Sequence, residues 1–138
     1  MLRQSKLSGF HIPSAPDWLI VTLFADDTMV YLSEYDHFSD LSAILDTWCV
    51  ASGARFNVSK TEIIPIGTTC YQSAVIASRL LQPGQPALLM ANIPDNVHIA
   101  ADGNAVCLLG AYIGNRTTSF IVWGPCINKI CDGLHRWG

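Results

Sequence analysis

Two adjacent carboxylates, Asp26 and Asp27, are the residues of this chain whose type and spacing best suit chemistry. They interrupt two β-type runs, Leu19 to Phe24 and Thr28 to Leu32. Two such runs about a short polar pair predict a hairpin with the aspartates at its tip. No basic residue lies near them in sequence. Like charges a few ångströms apart repel by about 4 kcal/mol at an effective dielectric of 20. The pair is therefore tolerated when solvated or when a divalent cation sits on it. Oxygen-only donors favour Mg²⁺ or Mn²⁺ over zinc. Two such ions about 3.5–4 Å apart stabilise both oxygens of an in-line phosphoryl displacement. Without a cation, the same pair is an ordinary surface turn, because aspartate is a common turn residue.

The elements that would position the pair follow from periodicity. The run Leu19–Phe24 is apolar on both faces, which predicts a central strand covered on both sides. Phe38, Leu41, Leu45 and Trp48 form one helical stripe, with Asp36 or Ser39 as its N-terminal cap and Gly53 as a left-handed C-terminal residue. Short strands are expected around Arg55–Val58 and Glu62–Ile66. A short helix is expected at Ser73–Leu81, before the loop Gln82-Pro-Gly-Gln-Pro86. Val97–Ala100 and Val106–Ile113, joined through Asp102-Gly-Asn104, predict a second hairpin. Trp123, Ile127, Ile130, Leu134 and Trp137 keep i, i+4, i+7, i+11, i+14 spacing, so a terminal helix is expected. Pro125 fits its first turn, and without that constraint the helix could begin near Ser119. Trp48 and Trp137 read as core or interface residues. The mixture of strands and helices predicts an α+β fold.

Composition narrows the function classes. The 138 residues suit one compact domain, and 50 % hydrophobic with 14 % charged residues argues against disorder. The longest apolar stretch, Trp18–Ala25, is shorter than the roughly 20 residues of a membrane span, and no apolar leader opens the chain. An intracellular protein, nuclear or cytoplasmic and without a membrane partner, is expected. A net charge of −3 excludes a strongly basic, self-sufficient nucleic-acid binder. The five cysteines are scattered, and Cys126 and Cys131 would diverge by about 140° on a helix. Neither a disulfide framework nor a zinc site fits that spacing, so mostly buried free thiols are expected.

Leu23-Phe24-Ala25-Asp26-Asp27-Thr28, with apolar runs on both sides, resembles the catalytic hairpin of reverse transcriptases of non-LTR (LINE-like) retrotransposons. Leu7-Ser-Gly-Phe-His-Ile12 is similar to the segment just ahead of that hairpin. Trp48 to Asn57 followed by Lys60-Thr-Glu62 resembles the family's next motif. Leu108 to Gly114 resembles the primer-grip hairpin, and Ile127 to Trp137 resembles the start of the thumb helix. The resemblance implies a partial polymerase palm over residues 1–67 and an irregular linker over 68–96. It further implies a primer-grip hairpin over 97–118 and a truncated thumb helix over 119–138.

It implies site roles as well. Asp26 would be the metal ligand and Asp27 its neighbour, both acting with Mg²⁺ or Mn²⁺. Successive strand side chains point to opposite faces, which ranks Asp26 above Asp27, although a turn can swing both toward one cleft. Lys60 would lie near the incoming triphosphate and protonate the leaving pyrophosphate; as a lone lysine it is equally a solvated loop residue. Gly53 and Asn57 would hold that loop's geometry. Leu109, Gly110 and Tyr112 would press the primer terminus toward the metals, or simply pack as a hairpin. The implied partners are an RNA template, a DNA primer and a deoxynucleoside triphosphate.

The family's further metal-binding aspartate has no match, since Asp17, beside Pro16, is the sole acid before Asp26. The expected function is that of a reverse transcriptase fragment, part of an RNA-directed DNA polymerase and inactive alone. The alternative is a non-catalytic interaction module or a pseudogene-derived remnant. Self-association through exposed palm edges is a further expectation.

Overall fold

The structure, a computed structural model, describes residues 1–24, 27–85 and 92–137. Strands β1 (Val21–Phe24) and β2 (Asp27–Val30) pair antiparallel, in register from Val21↔Val30 to Phe24↔Asp27. Alternation puts Thr22, Phe24, Asp27 and Met29 on one face and Val21, Leu23, Thr28 and Val30 on the other. Ahead of β1, Phe10 and Leu19 exchange two backbone hydrogen bonds of 2.8 Å. Gly9 makes this approach possible: its φ is +69°, and a Cβ there would lie 2.5 Å from the Leu19 carbonyl oxygen.

Among the described residues, nothing provides the double cover expected for Leu19–Phe24. Val21 is buried, but Leu23 and Phe24 are largely exposed, because the described residues add no third strand to the β1–β2 pair.

The buried cluster lies in a different part of the chain. Val75, Ile93, Val97 and Ile99 form its centre, with Phe38, Ile63, Tyr71, Ile76 and Leu81 packed around them. It is built on a parallel pair, β3 (Glu62–Ile63) with β4 (His98–Ile99), and on α2 (Thr69–Ser78) between them in sequence. Parallel strands require such a crossover. This corrects the second hairpin, because Val97–Ala100 joins β3 rather than Val106–Ile113. Val97, Ile99 and Ala100 are all buried, with only His98 of the run turned to solvent, so its apolar residues are placed in the interior rather than in an open hairpin. Asp102-Gly-Asn104 still turns, with the Asn104 N–H donating to the Ala101 carbonyl. The actual hairpin lies wholly downstream, between β5 (Val106–Leu108) and β6 (Ala111–Ile113).

Helix α1 (Phe38–Ser52) ends at Gly53, whose φ of 71° is the expected left-handed cap. Its start differs from expectation. His37 occupies the N-terminal position without a side-chain cap, and Asp36 points elsewhere. Helix α2 begins before Ser73, since the Thr68 hydroxyl accepts from the Tyr71 N–H at 3.2 Å and caps it. No strand forms at Arg55–Val58, where Val58–Lys60 instead makes a single 3₁₀ turn.

Helix α3 (Ser119–Trp137) starts six positions before Pro125, which therefore sits inside the helix rather than in its first turn. Thr118 supplies the start, its carbonyl accepting from the Val122 N–H and its hydroxyl from the Ile121 N–H.

None of the five thiols is buried; Cys70, Cys107 and Cys131 are exposed, and all five are free. The expectation of mostly buried thiols is thus corrected. Trp48 and Trp137, read as core or interface residues, are both exposed in the isolated chain. Among the described residues, no helix is long and apolar enough to cross a membrane.

Candidate functional site

Asp26 lies outside the described residues. Asp27 is the first residue of β2, exposed and opposite Phe24, at the turn end of the hairpin. Its carboxylate reaches solvent beside an uncovered aromatic ring. Among the described residues, no group of three or more His, Cys, Asp or Glu side chains converges to hold a metal ion. Mg²⁺ uses one or two carboxylates and completes its shell with water and phosphate. Asp27 offers one such donor, and a two-ion centre requires a larger carboxylate set than the described residues bring together.

Lys60 closes the Val58–Lys60 turn and is exposed. The loop that carries it is well ordered by its own bonds. The Asn57 carbonyl accepts from the Lys60 N–H at 3.0 Å and from the Thr61 hydroxyl at 3.1 Å, while its side-chain oxygen accepts from the Ser59 hydroxyl at 2.6 Å. Gly53 and Asn57 therefore bracket the segment between α1 and the turn.

The third group sits on the β5–β6 hairpin. Leu108 pairs with Ala111, so Leu109 and Gly110 form a two-residue turn, and Tyr112 is half-buried opposite Cys107. Both turn residues have positive φ, +51° at Leu109 and +83° at Gly110. That combination is the type I′ pattern, which asparagine or glycine adopts cheaply. A leucine there costs about 1–2 kcal/mol, yet its side chain is 54 % exposed and gains little by packing. Leu109→Asn is therefore expected to stabilise the chain by about 0.5–1 kcal/mol. Thermal unfolding checks this, and a lower melting temperature would show that the leucine side chain contributes to the fold.

No hydrogen bond or ion pair among the described residues joins Asp27, Lys60, Leu109, Gly110 or Tyr112 to one another. The three groups stand on three separate local structures. Two shallow depressions on the surface lie apart from all of them. One, of about 360 Å³, is lined by Met1, Gln4, Ser5, Ala43, Ile44 and Thr47. The other, of about 350 Å³, is lined from Ile76 to Ile99. Comparison with family models, curated proteins and solved structures gives no match.

Two charged residues that sequence reasoning missed, or misread, organise the framework around these groups. Asp36 is 4 % exposed. It accepts from the backbone N–H groups of Ser8 (2.7 Å), Gly9 (3.0 Å) and Ser33 (2.8 Å). It thus ties the segment ahead of the acidic hairpin to the loop behind it. Arg79, at the end of α2, grips the carbonyls of Ile93, Pro94 and Val97. A lone aspartate before a helix signals a cap, so Asp36 was legible only in the wrong role. Arg79 carries no local signal, because its partners are far along the chain.

Proposed function

We propose that this chain is part of the palm of a reverse transcriptase-like polymerase, contributing the acidic hairpin and a primer-contacting hairpin to RNA-templated DNA synthesis. Asp26 and Asp27 would hold Mg²⁺ or Mn²⁺, Lys60 would face the triphosphate, and Leu109, Gly110 and Tyr112 would contact the primer end. The observation that carries this reading is Leu109. It is an exposed leucine in a strained left-handed conformation, at the hairpin tip where the resemblance expects an apolar contact with nucleic acid. Arg79 and Arg116 share the left-handed backbone; Leu109 differs in being an exposed apolar residue at a hairpin tip, and local strain clusters at functional sites. The order of the parts along the chain supports the same reading.

The chain by itself has one acidic pair and no match to the family's further aspartate, so it is expected to be inactive alone. The test is primer extension on an RNA template with Mg²⁺ or Mn²⁺. No incorporation is expected from the purified chain. Fusion to a palm segment that supplies the missing aspartate strand and nucleotide pocket should give incorporation that Asp26→Ala abolishes. An active fusion indifferent to Asp26→Ala and Asp27→Ala would remove the assignment.

A further inference from the structure

We infer that α3 forms a parallel two-stranded coiled coil with α3 of a second copy of this chain. Phe120, Trp123, Ile127, Ile130, Leu134 and Trp137 follow one another in steps of three, four, three, four and three. This is the a/d spacing of a coiled-coil seam. The structure leaves that seam open. No residue of the 19-residue helix is buried, and Phe120, Trp123 and Trp137 are 84 %, 61 % and 93 % exposed.

The amount of surface fits a dimer. At their observed exposure the three aromatic residues present roughly 500 Å². With Ile127, Ile130 and Leu134, each more than half exposed, the seam approaches the roughly 800 Å² per partner of a specific interface.

The flanks of the seam suit an identical helix. The e and g positions are Ser119, Gly124, Cys126, Cys131 and Gly133, all small and uncharged. Two copies therefore meet without like charges opposed, and their backbones can approach closely. The outer positions b, c and f hold Lys129, Asp132 and Arg136 together with Pro125 and, in the first turn, Ile121 and Val122. The proline thus leaves the seam unobstructed.

The cysteines distinguish the two directions. Cys126 is at g and Cys131 at the following e, so within one helix they point apart. Between parallel chains in register, g of one helix neighbours the next e of the other, which brings Cys126 beside the Cys131 of the second copy. An antiparallel pair would instead place like with like.

The experiment uses the full chain. Size-exclusion chromatography with light scattering over a range of concentrations is expected to show a dimer. Ile127→Asp with Ile130→Asp should weaken it more than about a hundredfold, by removing apolar contacts and opposing charges. Lys129→Ala, on the outer face, should leave it unchanged. Two single-cysteine variants, one keeping Cys126 and the other Cys131, are then treated with a short bis-maleimide. Cross-linked dimer is expected from their mixture and not from either alone. A chain monomeric at every concentration overturns the inference, as does a monomer that binds phosphatidylserine vesicles through α3. So does a dimer indifferent to the double aspartate substitution, or cross-linking confined to the separate variants.

Discussion

Asp36→Ala is expected to destabilise the chain by about 3 kcal/mol, a large share of the 5–15 kcal/mol typical of a domain. The carboxylate of the buried Asp36 accepts three backbone N–H groups, of Ser8, Gly9 and Ser33, at 2.7–3.0 Å. Alanine removes the charge-assisted acceptor and leaves those donors short of partners, and each such loss costs about 1–3 kcal/mol. For a chain of this size the melting temperature should fall by roughly 10 °C.

The same site fixes a pH dependence. Burial by itself would raise the Asp36 pKa, but the N–H groups of Ser8, Ser33 and Gly9 and the Ser33 hydroxyl outweigh it and hold the carboxyl below 3.8. A pKa depressed by folding contributes stability that is present above the unfolded value and lost as pH falls through the folded one. Acid should therefore weaken the wild-type chain below about pH 3.8, and Asp36→Asn should flatten that part of the curve. Stability curves of equal steepness for the two chains would show that the carboxylate is not the group that titrates.

Arg79→Met is expected to cost about 3 kcal/mol and to loosen the loop that carries Ile93 and Val97. The guanidinium donates through Nε to the Ile93 carbonyl at 3.1 Å, and through one Nη to the carbonyls of Pro94 at 2.5 Å and Val97 at 2.6 Å. The Ile93 N–H returns a bond of 2.8 Å to the Arg79 carbonyl. Methionine keeps the length of the chain and none of the donors. Lysine offers a single ammonium in place of the planar fork, so it should rescue only in part.

Arg79 also sits at φ 55° as the left-handed cap of α2. Glycine relieves that backbone at the expense of the fork, which orders the expected stabilities as Arg79, then glycine, then methionine. Amide exchange at Ile93 should accelerate by about a hundredfold in Arg79→Met. Unchanged exchange there would mean that the core cluster, rather than the arginine, holds the loop.

The local parts of this fold were legible because they depend on neighbours in sequence. The antiparallel pairing of Val21–Phe24 with Asp27–Val30 follows from two β-runs about a short polar pair, although Asp27 itself joins the second strand. Helix α1 and its glycine end follow from an apolar stripe and a residue that tolerates positive φ. The acidic pair stood out for the same reason, since two carboxylates and their flanks are a local pattern.

Where the sequence misled, the deciding partner was distant. Val97–Ala100 has strand character either way. It joins Glu62–Ile63 because α2 and the loop at Ile93 provide an interior that buries it, and no local turn signal reports that. Pro125 read as a first-turn residue, but the helix starts at Ser119, where the Thr118 carbonyl and hydroxyl take up its first N–H groups. Asp36 read as a cap, and only the folded chain brings Ser8 and Gly9 to it across 28 and 27 positions. The sequence by itself determined which residues can be strand, helix or turn, because those preferences are set within a few bonds. Tertiary structure alone decided which strand pairs with which and which charges are buried, because burial depends on what the rest of the chain places overhead.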